Sequence, residues 1–266
     1  MTPSDDSITQ SLAGEVAVVS GSSSGIGAAI ARELSLRGAA VVINYPAESE
    51  RKNAENVLRS LKDSTKAVIV EADLSTTTGP TKLIKAAVTK FYRIDILVNN
   101  AGIGALCDLE EPDDITCLKS WDAVISLNAR GTFLLARAVL KHLTPKHSRI
   151  INICSTTSRN PDPHMSMYAG SKGMMESFTR CWARDLPRKY GCTVNSVAPG
   201  PVATEMMLSA PPKFLDIIRN NTKDTPVASR MAEPSEVAWL VAMLCEEKAG
   251  WINGLYIPVA GGATLS

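Results

Sequence analysis

The chain has 266 residues, of which 45% are hydrophobic and 21% are charged, and its formal net charge is +1. This length and composition predict one large globular α/β domain. The near-zero charge gives no indication of a nucleic-acid or acidic-membrane partner. The sequence also has no apolar run of the ~18–20 residues that a membrane span needs.

The six cysteines and three histidines do not form the patterns that bind metals. The cysteines lie at positions 107, 117, 154, 181, 192 and 245, without a C-x-x-C pair. Zinc sites and disulfide frameworks have characteristic spacings that this chain does not match. We therefore expect no metal, and we expect reduced thiols in a cytoplasmic protein.

Residues 1–14 differ in composition from the rest of the chain. They are rich in Ser, Thr and Asp, and they lack the apolar core of a secretory signal. We expect a disordered tail over residues 1–14 and a single domain over residues 15–266.

Strand-like apolar runs alternate with helical stretches along this domain. We predict strands near 15–20, 40–44, 66–71, 95–99, 148–154, 192–197 and 255–258. We predict helices near 25–38, 48–63, 79–91, 118–143, 166–189 and 234–246. Such alternation is typical of a parallel sheet with helices on both faces.

A glycine-rich turn joins the first predicted strand to the first predicted helix. It reads Gly21-Ser22-Ser23-Ser24-Gly25-Ile26-Gly27. Strand, glycine loop and helix form the context in which a dinucleotide fingerprint is meaningful. Glycines let the backbone approach a pyrophosphate, and the free N–H groups at the start of the helix bind its negative charge. Taken alone the turn is weak evidence, because turns need glycine in any case.

Tyr168 and Lys172 are four residues apart in one predicted helix, and they therefore lie on the same face of it. A tyrosine loses its proton near pH ~10, and a nearby ammonium group lowers this pKa. Ser155 follows a predicted strand, and its hydroxyl can bond the same substrate oxygen. Together these residues predict proton transfer to or from an alcohol oxygen.

Taken in order, these motifs resemble those of the short-chain dehydrogenase/reductase family, from about Glu15 to Gly262. The landmarks are the glycine loop, Asp73, Asn99-Asn100-Ala101-Gly102, Asn128, Ser155, Tyr168, Lys172 and Pro199-Gly200-Pro201-Val202-Ala203-Thr204. The resemblance implies an α/β fold with a Rossmann-type doubly wound parallel β-sheet in a single domain. It also implies a nicotinamide cofactor and four catalytic residues, which are Asn128, Ser155, Tyr168 and Lys172.

The same resemblance implies the residues that bind the cofactor. Asp73 would accept a hydrogen bond from the adenine amino group, Asn100 would bond near the adenosine ribose, and Lys172 would hold ribose hydroxyls. The full implied set is Gly21, Ser23, Ser24, Gly25, Ile26, Gly27, Asn44, Tyr45, Asp73, Leu74, Asn100, Ala101, Gly102, Tyr168, Lys172, Pro199, Gly200, Val202 and Thr204.

Asn128 lies in a predicted helix that is otherwise apolar, where asparagine is unfavourable. One interpretation is a helix kink that is satisfied by the asparagine side chain. The resemblance implies instead that Asn128 holds a water molecule, which links Lys172 to solvent as a proton relay.

The end of the second strand discriminates between the two nicotinamide cofactors. NAD-dependent proteins of this type place an acid there, which binds the ribose 2′-hydroxyl. Here the strand ends in Asn44-Tyr45-Pro46, without a carboxylate that would repel a 2′-phosphate. We expect NADP(H), bound through neutral hydrogen bonds from Ser22 to Ser24, Asn44 and Tyr45, with help from Arg51 or Lys52.

Residues 204–230 mix Met, Pro, Lys and Asp and show only a short helical pattern. Segments of this length in compact domains are often lids over a site. The resemblance implies a mobile substrate loop here.

The sequence therefore predicts an NADPH-dependent oxidoreductase that reduces a ketone to a secondary alcohol, with the proton supplied by Tyr168. The similarity is greatest to reductases of fungal polyketides and of β-ketoacyl thioesters, which implies a small-molecule substrate and a role in secondary metabolism. An epimerase or dehydratase on the same fold, or a cofactor-sensing binding protein, remain alternatives. The resemblance also implies a homotetramer or homodimer.

Overall fold

The central layer of the molecule is a parallel β-sheet. The structure is a computed structural model that describes residues 10–106, 109–209 and 212–264. Within these ranges the sheet has seven strands in the order β3-β2-β1-β4-β5-β6-β7. The strands are β1 (Val16–Val19), β2 (Ala40–Tyr45), β3 (Ala67–Glu71), β4 (Ile96–Asn99), β5 (Ser148–Ile153), β6 (Cys192–Pro199) and β7 (Tyr256–Val259).

Helices cover both faces of this sheet. In chain order they are α1 (Gly25–Leu36), α2 (Arg51–Arg59), α3 (Gly79–Phe91), α4 (Asp114–Val124), α5 (Thr132–Val139), α6 (Ser166–Asp185), α7 (Pro187–Tyr190), α8 (Glu205–Leu208), α9 (Pro212–Lys223) and α10 (Pro234–Cys245). A π-helical turn joins α4 to α5, and 3-10 turns occupy four further segments. The π turn spans Ile125–Gly131. Within the described residues, the 3-10 turns are Glu48–Glu50, Ser64–Lys66, Thr156–Ser158 and Glu247–Ala249. The predicted Rossmann-type doubly wound fold is confirmed.

Successive residues of the central strands point into two different cores. Ala17 and Val19 of β1 pack with residues of α1 and α10. Val18, between them, packs with residues of α3 and α5. This period of two is what a strand covered on both faces requires. Because both faces of the sheet are buried, ligands of such folds bind beyond the carboxyl ends of the strands.

The strand order reverses at β1. Strands β2 and β3 lie on one side of it, whereas β4 and the later strands lie on the other. Val19 at the end of β1 pairs with Val98 near the end of β4, so both strands end at the same level. The loops after β1 and β4 diverge from this point, which opens a crevice at the edge of the sheet.

All predicted strands and helices are present, with shifted ends, but two regions differ from the prediction. The predicted helix 118–143 is divided by the π turn. The predicted loop 204–230 contains α8 and α9. Pro212 occupies the first turn of α9, where proline is tolerated, and Leu215 and Ile218 are buried three residues apart. This narrow apolar stripe packs a helix whose other residues are mostly polar.

Residues 10–14 do not behave as the predicted tail. They form a turn in which Leu12 is fully buried and donates its N–H to the carbonyl oxygen of Arg37. The prediction of disorder is wrong for these residues, because Leu12 completes the core beside α1. Residues 1–9 lie outside the described ranges.

Two further expectations concern membranes and cysteines. None of the helices in the described ranges is long and apolar enough to cross a bilayer. Among the cysteines in those ranges, Cys154, Cys181, Cys192 and Cys245 are free thiols. Cys107 lies outside the described residues.

Charged side chains are buried at the opposite, amino-terminal edge of the sheet. Arg149 is 1% exposed, and Asp95 pairs with Arg93 at 2.6 Å. Glu15 lies beside this group. Burial, together with the negative charge of Asp95, raises the pKa of Glu15 from 4.5 to about 7.

We expect Glu15→Gln to stabilise the protein above pH 7. The carboxyl of the unfolded chain ionises near pH 4.5, whereas that of the folded chain ionises near pH 7. The wild type therefore loses stability as the pH rises through this window, and the variant does not. The gain in free energy of unfolding should be about 1–2 kcal/mol at pH 8, after allowance for solvent screening.

Urea unfolding at pH 5 and pH 8 measures this difference. The gain should be clearly smaller at pH 5, where the folded carboxyl is still protonated. Glu48→Gln, at an exposed position, is the matched control. An equal gain at both pH values would contradict the raised pKa.

Candidate active site

A cleft of about 1200 Å³ opens at the carboxyl ends of the strands. Its walls come from the glycine loop, from the segments that follow β4, β5 and β6, and from the region of α8 and α9. The predicted site residues that line it are Gly21, Ser23, Ser24, Gly25, Ile26, Gly27, Asn44, Asp73, Leu74, Asn100, Ala101, Gly102, Ser155, Tyr168, Lys172, Pro199, Gly200, Val202 and Thr204. Asn128 and Tyr45 are buried behind this lining.

The glycine loop is packed too closely for side chains at two of its positions. Gly21 has a φ of +59°, and a Cβ there would lie 2.9 Å from the Cα of Ala101. A Cβ on Gly27 would lie 2.4 Å from the carbonyl oxygen of Gly21. Ser24 precedes α1 without capping it through its side chain, so N–H groups of the first turn remain for a ligand. The loop and helix start thus fit the pyrophosphate of a dinucleotide.

Asn44 supports this loop from behind. Its Oδ1 accepts a hydrogen bond from the N–H of Gly21 at 2.9 Å, and its Nδ2 donates to the carbonyl oxygens of Val70 and Ala72 at 3.3 and 3.0 Å. Asn44 is 1% exposed. The carboxamide therefore joins the glycine loop to the ends of β2 and β3.

The predicted direct contacts of Ser22 and Tyr45 with a 2′-phosphate are not supported by this geometry. The Ser22 hydroxyl is fully buried and donates to the carbonyl oxygen of Val19. Tyr45 is 4% exposed, so its side chain lies in the core. This hydrogen bond and this burial hold Ser22 and Tyr45 inside the protein, whereas Ser23, Ser24 and Asn44 line the cleft.

Asn100 and Asp73 are also engaged by neighbouring groups. The Asn100 Nδ2 donates to the carbonyl oxygens of Ser20 and Gly21, at 2.9 and 3.0 Å. Oδ1 of Asp73 accepts from the N–H and the hydroxyl of Ser75. Asn100 thus ties the glycine loop to the end of β4, and Asp73 forms an exposed turn on the cleft wall.

Helix α6 presents Tyr168 and Lys172 to the cleft on one face. The Lys172 Nζ donates to the carbonyl oxygen of Ile153 at 2.7 Å and lies 5.8 Å from the centre of the Tyr168 ring. Lys172 is 4% exposed. Burial disfavours its ammonium and lowers its pKa from 10.5 to about 8.

Burial also determines the acidity of Tyr168. It raises the pKa of the phenol above the ordinary value of 10, while a hydrogen bond with Ser155 opposes this shift. The predicted lowering by Lys172 is therefore not found in this structure. Removing the phenolate from water costs more free energy than its hydrogen bond with Ser155 regains, so the protonated phenol is the favoured form.

Ser155 stands at the point where β5 ends. Its backbone is extended, and its Oγ accepts a hydrogen bond from the N–H of Thr157 at 3.2 Å, which starts the 3-10 turn. The Ser155 side chain is 7% exposed in the cleft wall, next to Tyr168. The hydroxyls of Ser155 and Tyr168 thus lie side by side in the cleft wall, with the Ser155 hydroxyl bonded to Oγ1 of Thr157 at 3.0 Å.

Asn128 lies in the π turn and is fully buried. Its carboxamide bonds both the N–H and the carbonyl oxygen of Ile103 at 2.9 Å, and also bonds the Ser171 hydroxyl at 3.0 Å. A Cβ on Gly102 would lie 3.2 Å from Oδ1 of Asn128 and 3.4 Å from Nζ of Lys172. The helix changes to π winding at Asn128, and such π turns are frequent near functional sites. The Asn128 side chain does not satisfy its own helix, however, because it bonds Ile103 and Ser171 of α6.

Helices α8 and α9 lie along one side of the cleft. Asn221 of α9 donates to Asp162 at 3.3 Å, and Asp162 belongs to the loop between Ser155 and α6. The base of this region is closed by a bridge between Val202 and Ala232. The region is therefore anchored at its base and also contacts the loop across the cleft.

Four residues of the site were not singled out from the sequence. Asp162 and Asn221 are ordinary polar loop and helix residues, and no sequence signal pairs them. Glu176 follows Lys172 by one helical turn, so its spacing placed it on the catalytic face of α6. Tyr256 begins β7 and donates its hydroxyl to the carbonyl oxygen of Ser155, a contact that only the folded sheet brings about.

The fold and the cleft define a dinucleotide-dependent oxidoreductase, with a phosphate cradle beside a buried tyrosine and lysine. A family model described as Enoyl-(Acyl carrier protein) reductase matches residues 21–264. The chain is 40% identical over 256 residues to the short-chain dehydrogenase/reductase FrzI of Cladobotryum sp., covering 95% of this chain and 96% of that one. It belongs to the short-chain dehydrogenase/reductase family.

Two further proteins are similar over almost the whole chain. Versicolorin reductase stcU of Emericella nidulans is 36% identical over 263 residues, which is 95% of this chain and 96% of that one. The crystal structure of a short chain dehydrogenase from Burkholderia cenocepacia in complex with NADP has a TM-score of 0.85 and 32% identity, covering 95% of this chain and 98% of that one. The chain is accordingly an oxidoreductase that acts on CH–OH or C=O groups with a nicotinamide cofactor.

We expect Asn44→Ala to weaken the binding of NADPH and NADH by the same factor, about tenfold. The variant removes the acceptor for the Gly21 N–H and so loosens the cradle that both cofactors share. Fluorescence titration with each cofactor measures the two dissociation constants. Asn53→Ala, on the exposed face of α2, is the control. A loss confined to NADPH would mean that Asn44 contacts the 2′-phosphate directly.

Proposed function

We propose that this protein is an NADPH-dependent reductase that converts a ketone to a secondary alcohol. The observation that carries the proposal is the meeting of Ser155, Tyr168 and Lys172 in one cleft with the glycine loop. A hydroxyl donor, a protonated phenol and a buried ammonium beside a dinucleotide cradle are the groups that carbonyl reduction needs. The names of versicolorin reductase and related proteins support the same reaction class.

The residues that would hold the dinucleotide are those of the cradle and the adjoining walls. N–H groups at the start of α1 would bind the pyrophosphate. Asp73 would face the adenine, and Lys172 would bond the ribose near the nicotinamide. The segment Pro199–Thr204 would enclose the nicotinamide end. The chemistry that the bound nicotinamide supplies is hydride transfer to the carbonyl carbon.

The protein side chains supply the proton and the orientation. Ser155 donates a hydrogen bond to the carbonyl oxygen and holds it near Tyr168. The Tyr168 phenol, which burial keeps protonated, delivers its proton to that oxygen. Lys172 stabilises the resulting phenolate with its charge, and Asn128 joins Lys172 to the path by which the proton is replaced. Holding the carbonyl in this geometry removes much of the entropic barrier.

The preference for NADPH rests on charge at the end of β2. The strand ends in Asn44, Tyr45 and Pro46, without a carboxylate. Arg51 stands just beyond it, half exposed, and pairs with Glu48 and Glu55 on the surface. Surface pairs of this kind hold weakly, so Arg51 can turn to a 2′-phosphate that Ser23 and Ser24 also bond. The complex of the Burkholderia cenocepacia relative with NADP is in line with this preference.

The substrate that fits this cleft is a mainly apolar ketone of secondary metabolism. Ile103, Leu127, Met165 and Met207 line the cleft on the side of the catalytic residues. Methionine side chains adapt to irregular apolar shapes. The similarity to versicolorin reductase supports a ketone of this kind.

We further propose a cytoplasmic homotetramer or homodimer. Large apolar side chains are exposed on the outer helices, among them Leu118, Trp121 and Phe133 on α4 and α5. A second group includes Trp239 on α10 and Trp251 before β7. Exposed apolar patches of this kind favour association between copies of a chain.

Tyr168→Phe should lower kcat by about 10²–10⁴-fold while leaving the affinity for NADPH unchanged. The ring remains, but the proton donor is lost. The assay follows NADPH absorbance with a panel of cyclic, aromatic and β-keto thioester ketones, with NADH in parallel. Tyr92→Phe, at a position that is 86% exposed, is the control.

The outcomes of this assay separate the alternatives. Normal turnover in Tyr168→Phe would contradict the proposed mechanism. A product at the same oxidation level, without net loss of NADPH, would indicate an epimerase or dehydratase. Tight cofactor binding without turnover of any ketone would indicate a binding protein.

The affinity for NADPH should fall as the pH rises from 7 to 9. The ammonium of Lys172 loses its proton near pH 8, and the bond from its charged form to the ribose is then weakened. Lys172→Met should bind more weakly at pH 7 and show a flat profile, which the wild type approaches at pH 9. Fluorescence titration of both proteins across this range measures the effect. A parallel decline in the variant would assign the titration to another group.

A further inference from the structure

Helix α6 carries a third polar side chain on its catalytic face. Glu176 follows Lys172 by four residues and Tyr168 by eight, so the three lie along one stripe of the helix. Glu176 is 8% exposed. A carboxylate so far removed from water needs strong partners, because an unpaired buried charge is costly.

Two partners of Glu176 come from the turn that follows Ser155, and a third, Arg180, lies one turn further along α6. Oε1 accepts from Nε and Nη2 of Arg159, at 3.2 and 2.9 Å, and also from Arg180. Oε2 lies 3.2 Å from the hydroxyl of Ser158. The carboxylate thus holds Arg159 against α6, while the single hydroxyl hydrogen of Ser158 is shared between Oε2 and the carbonyl oxygen of Ser155.

Arg159 in turn holds the first residue of β7. Its guanidinium carbon lies 3.9 Å from the centre of the Tyr256 ring, which is the distance of a stacked cation–π contact. The Tyr256 hydroxyl donates to the carbonyl oxygen of Ser155 at 2.9 Å. A line of direct contacts therefore runs from Glu176 through Arg159 and Tyr256 to the main chain of Ser155.

The Ser155 carbonyl is held by more than this one donor. The N–H and the hydroxyl of Ser158 lie 3.0 and 2.9 Å from the same oxygen. At this residue the pairing of β5 with β6 has ended, because Ile153 is the last residue of the ladder. The contacts from Ser158 and Tyr256 thus replace the sheet in fixing the backbone. The Cα–Cβ bond of Ser155 projects from this fixed backbone, and the N–H of Thr157 then holds Oγ itself at 3.2 Å.

We propose that Glu176, Arg159, Ser158 and Tyr256 form a clamp that positions the hydroxyl of Ser155 for the reaction. The inference rests on the proposed reductase function, in which Ser155 bonds the substrate oxygen. None of the four side chains needs to touch the substrate: each acts through Ser155. Helix α6 thus carries the proton donor Tyr168, the ammonium of Lys172, and Glu176, which helps to position Ser155.

An ion pair that only stabilises the fold would use the same residues, so the test must separate the two roles. Tyr256→Phe is the sharpest variant, because it removes the hydroxyl and keeps the ring that stacks on Arg159. Tyr190→Phe, on α7, is the matched control. Tyr190 packs at the edge of the second core and lies away from this clamp.

With the ketone that the wild type reduces best, Tyr256→Phe should lower kcat about tenfold. The KM for the ketone and the affinity for NADPH should stay within about twofold, since the cleft walls and the cradle are unchanged. Glu176→Gln should show the same division between kcat and KM. Unchanged kcat in Tyr256→Phe, or a loss confined to thermal stability, would overturn the proposal.

A double-mutant cycle with Ser155→Ala tests whether the effect passes through Ser155. If it does, Tyr256→Phe has no further effect on kcat once the serine hydroxyl is absent. Independent losses that multiply would overturn the proposal and leave Tyr256 a structural residue.

Hydrogen exchange keeps this test separate from that of the reductase function. The amides of Thr157 and Ser158 should exchange faster in Tyr256→Phe and at the wild-type rate in Tyr190→Phe. Faster exchange with no ketone turnover in the wild type would uphold the clamp and reject the reductase. Unchanged exchange would overturn the clamp, whatever the enzyme reduces.

Discussion

The hydrogen bond from Lys172 to the carbonyl oxygen of Ile153 sets the geometry on which the active site depends. It joins α6 to the last residue of β5 at 2.7 Å. Tyr168 is one turn before Lys172 on the helix, and Ser155 is two residues after Ile153 on the chain. Any shift of the helix along the sheet would separate these groups. The same burial that makes this bond strong also lowers the pKa of the ammonium and raises that of the phenol.

A second constraint is the shortage of polar partners at the edge of a fully covered sheet. Where the strands end, backbone groups lose their ladder partners, and each must find another. Asn44, Asn100 and Asn128 meet this need at three successive places, since each bonds main-chain atoms of a neighbouring loop. The loops so fixed are the glycine loop and the segment that begins at Ala101. Rigid walls for a ligand thus follow from the ordinary need to satisfy buried peptide groups.

The sequence predicted those features that depend on local spacing. The glycine loop was predicted because strand, turn and helix follow each other directly, and Tyr168 and Lys172 were placed together by one helical turn. The strands were predicted because runs such as Val41 to Ile43 are continuous and apolar. Within the region 204–230, the length of α9 was not predicted, since its buried stripe is narrow and includes Leu215 and Ile218.

The hydrogen-bond partners of polar side chains could not be predicted in this way. The sequence placed Asn44 in the cofactor site, but it did not predict the hydrogen bond from its amide to Ala72, 28 residues away along the chain. The direction of the pKa shift at Tyr168 could not be predicted from the sequence either, because burial raises this pKa and the hydrogen bond with Ser155 lowers it. The role of Tyr256 depends on a contact with Ser155 across 101 residues. Each of these features exists only after the sheet has assembled.

The bridge between Val202 and Ala232 has a consequence for how this enzyme can change. It brings together the two ends of the segment that carries α8 and α9. Most of the conformational entropy that closing this segment costs is therefore already lost when the bridge forms. Further residues inside it add only about 0.6 kcal/mol for each doubling of its length. The segment can therefore gain, lose or exchange sequence while β6 and the catalytic residues stay in place. Substrate range and catalytic chemistry can evolve separately within one chain.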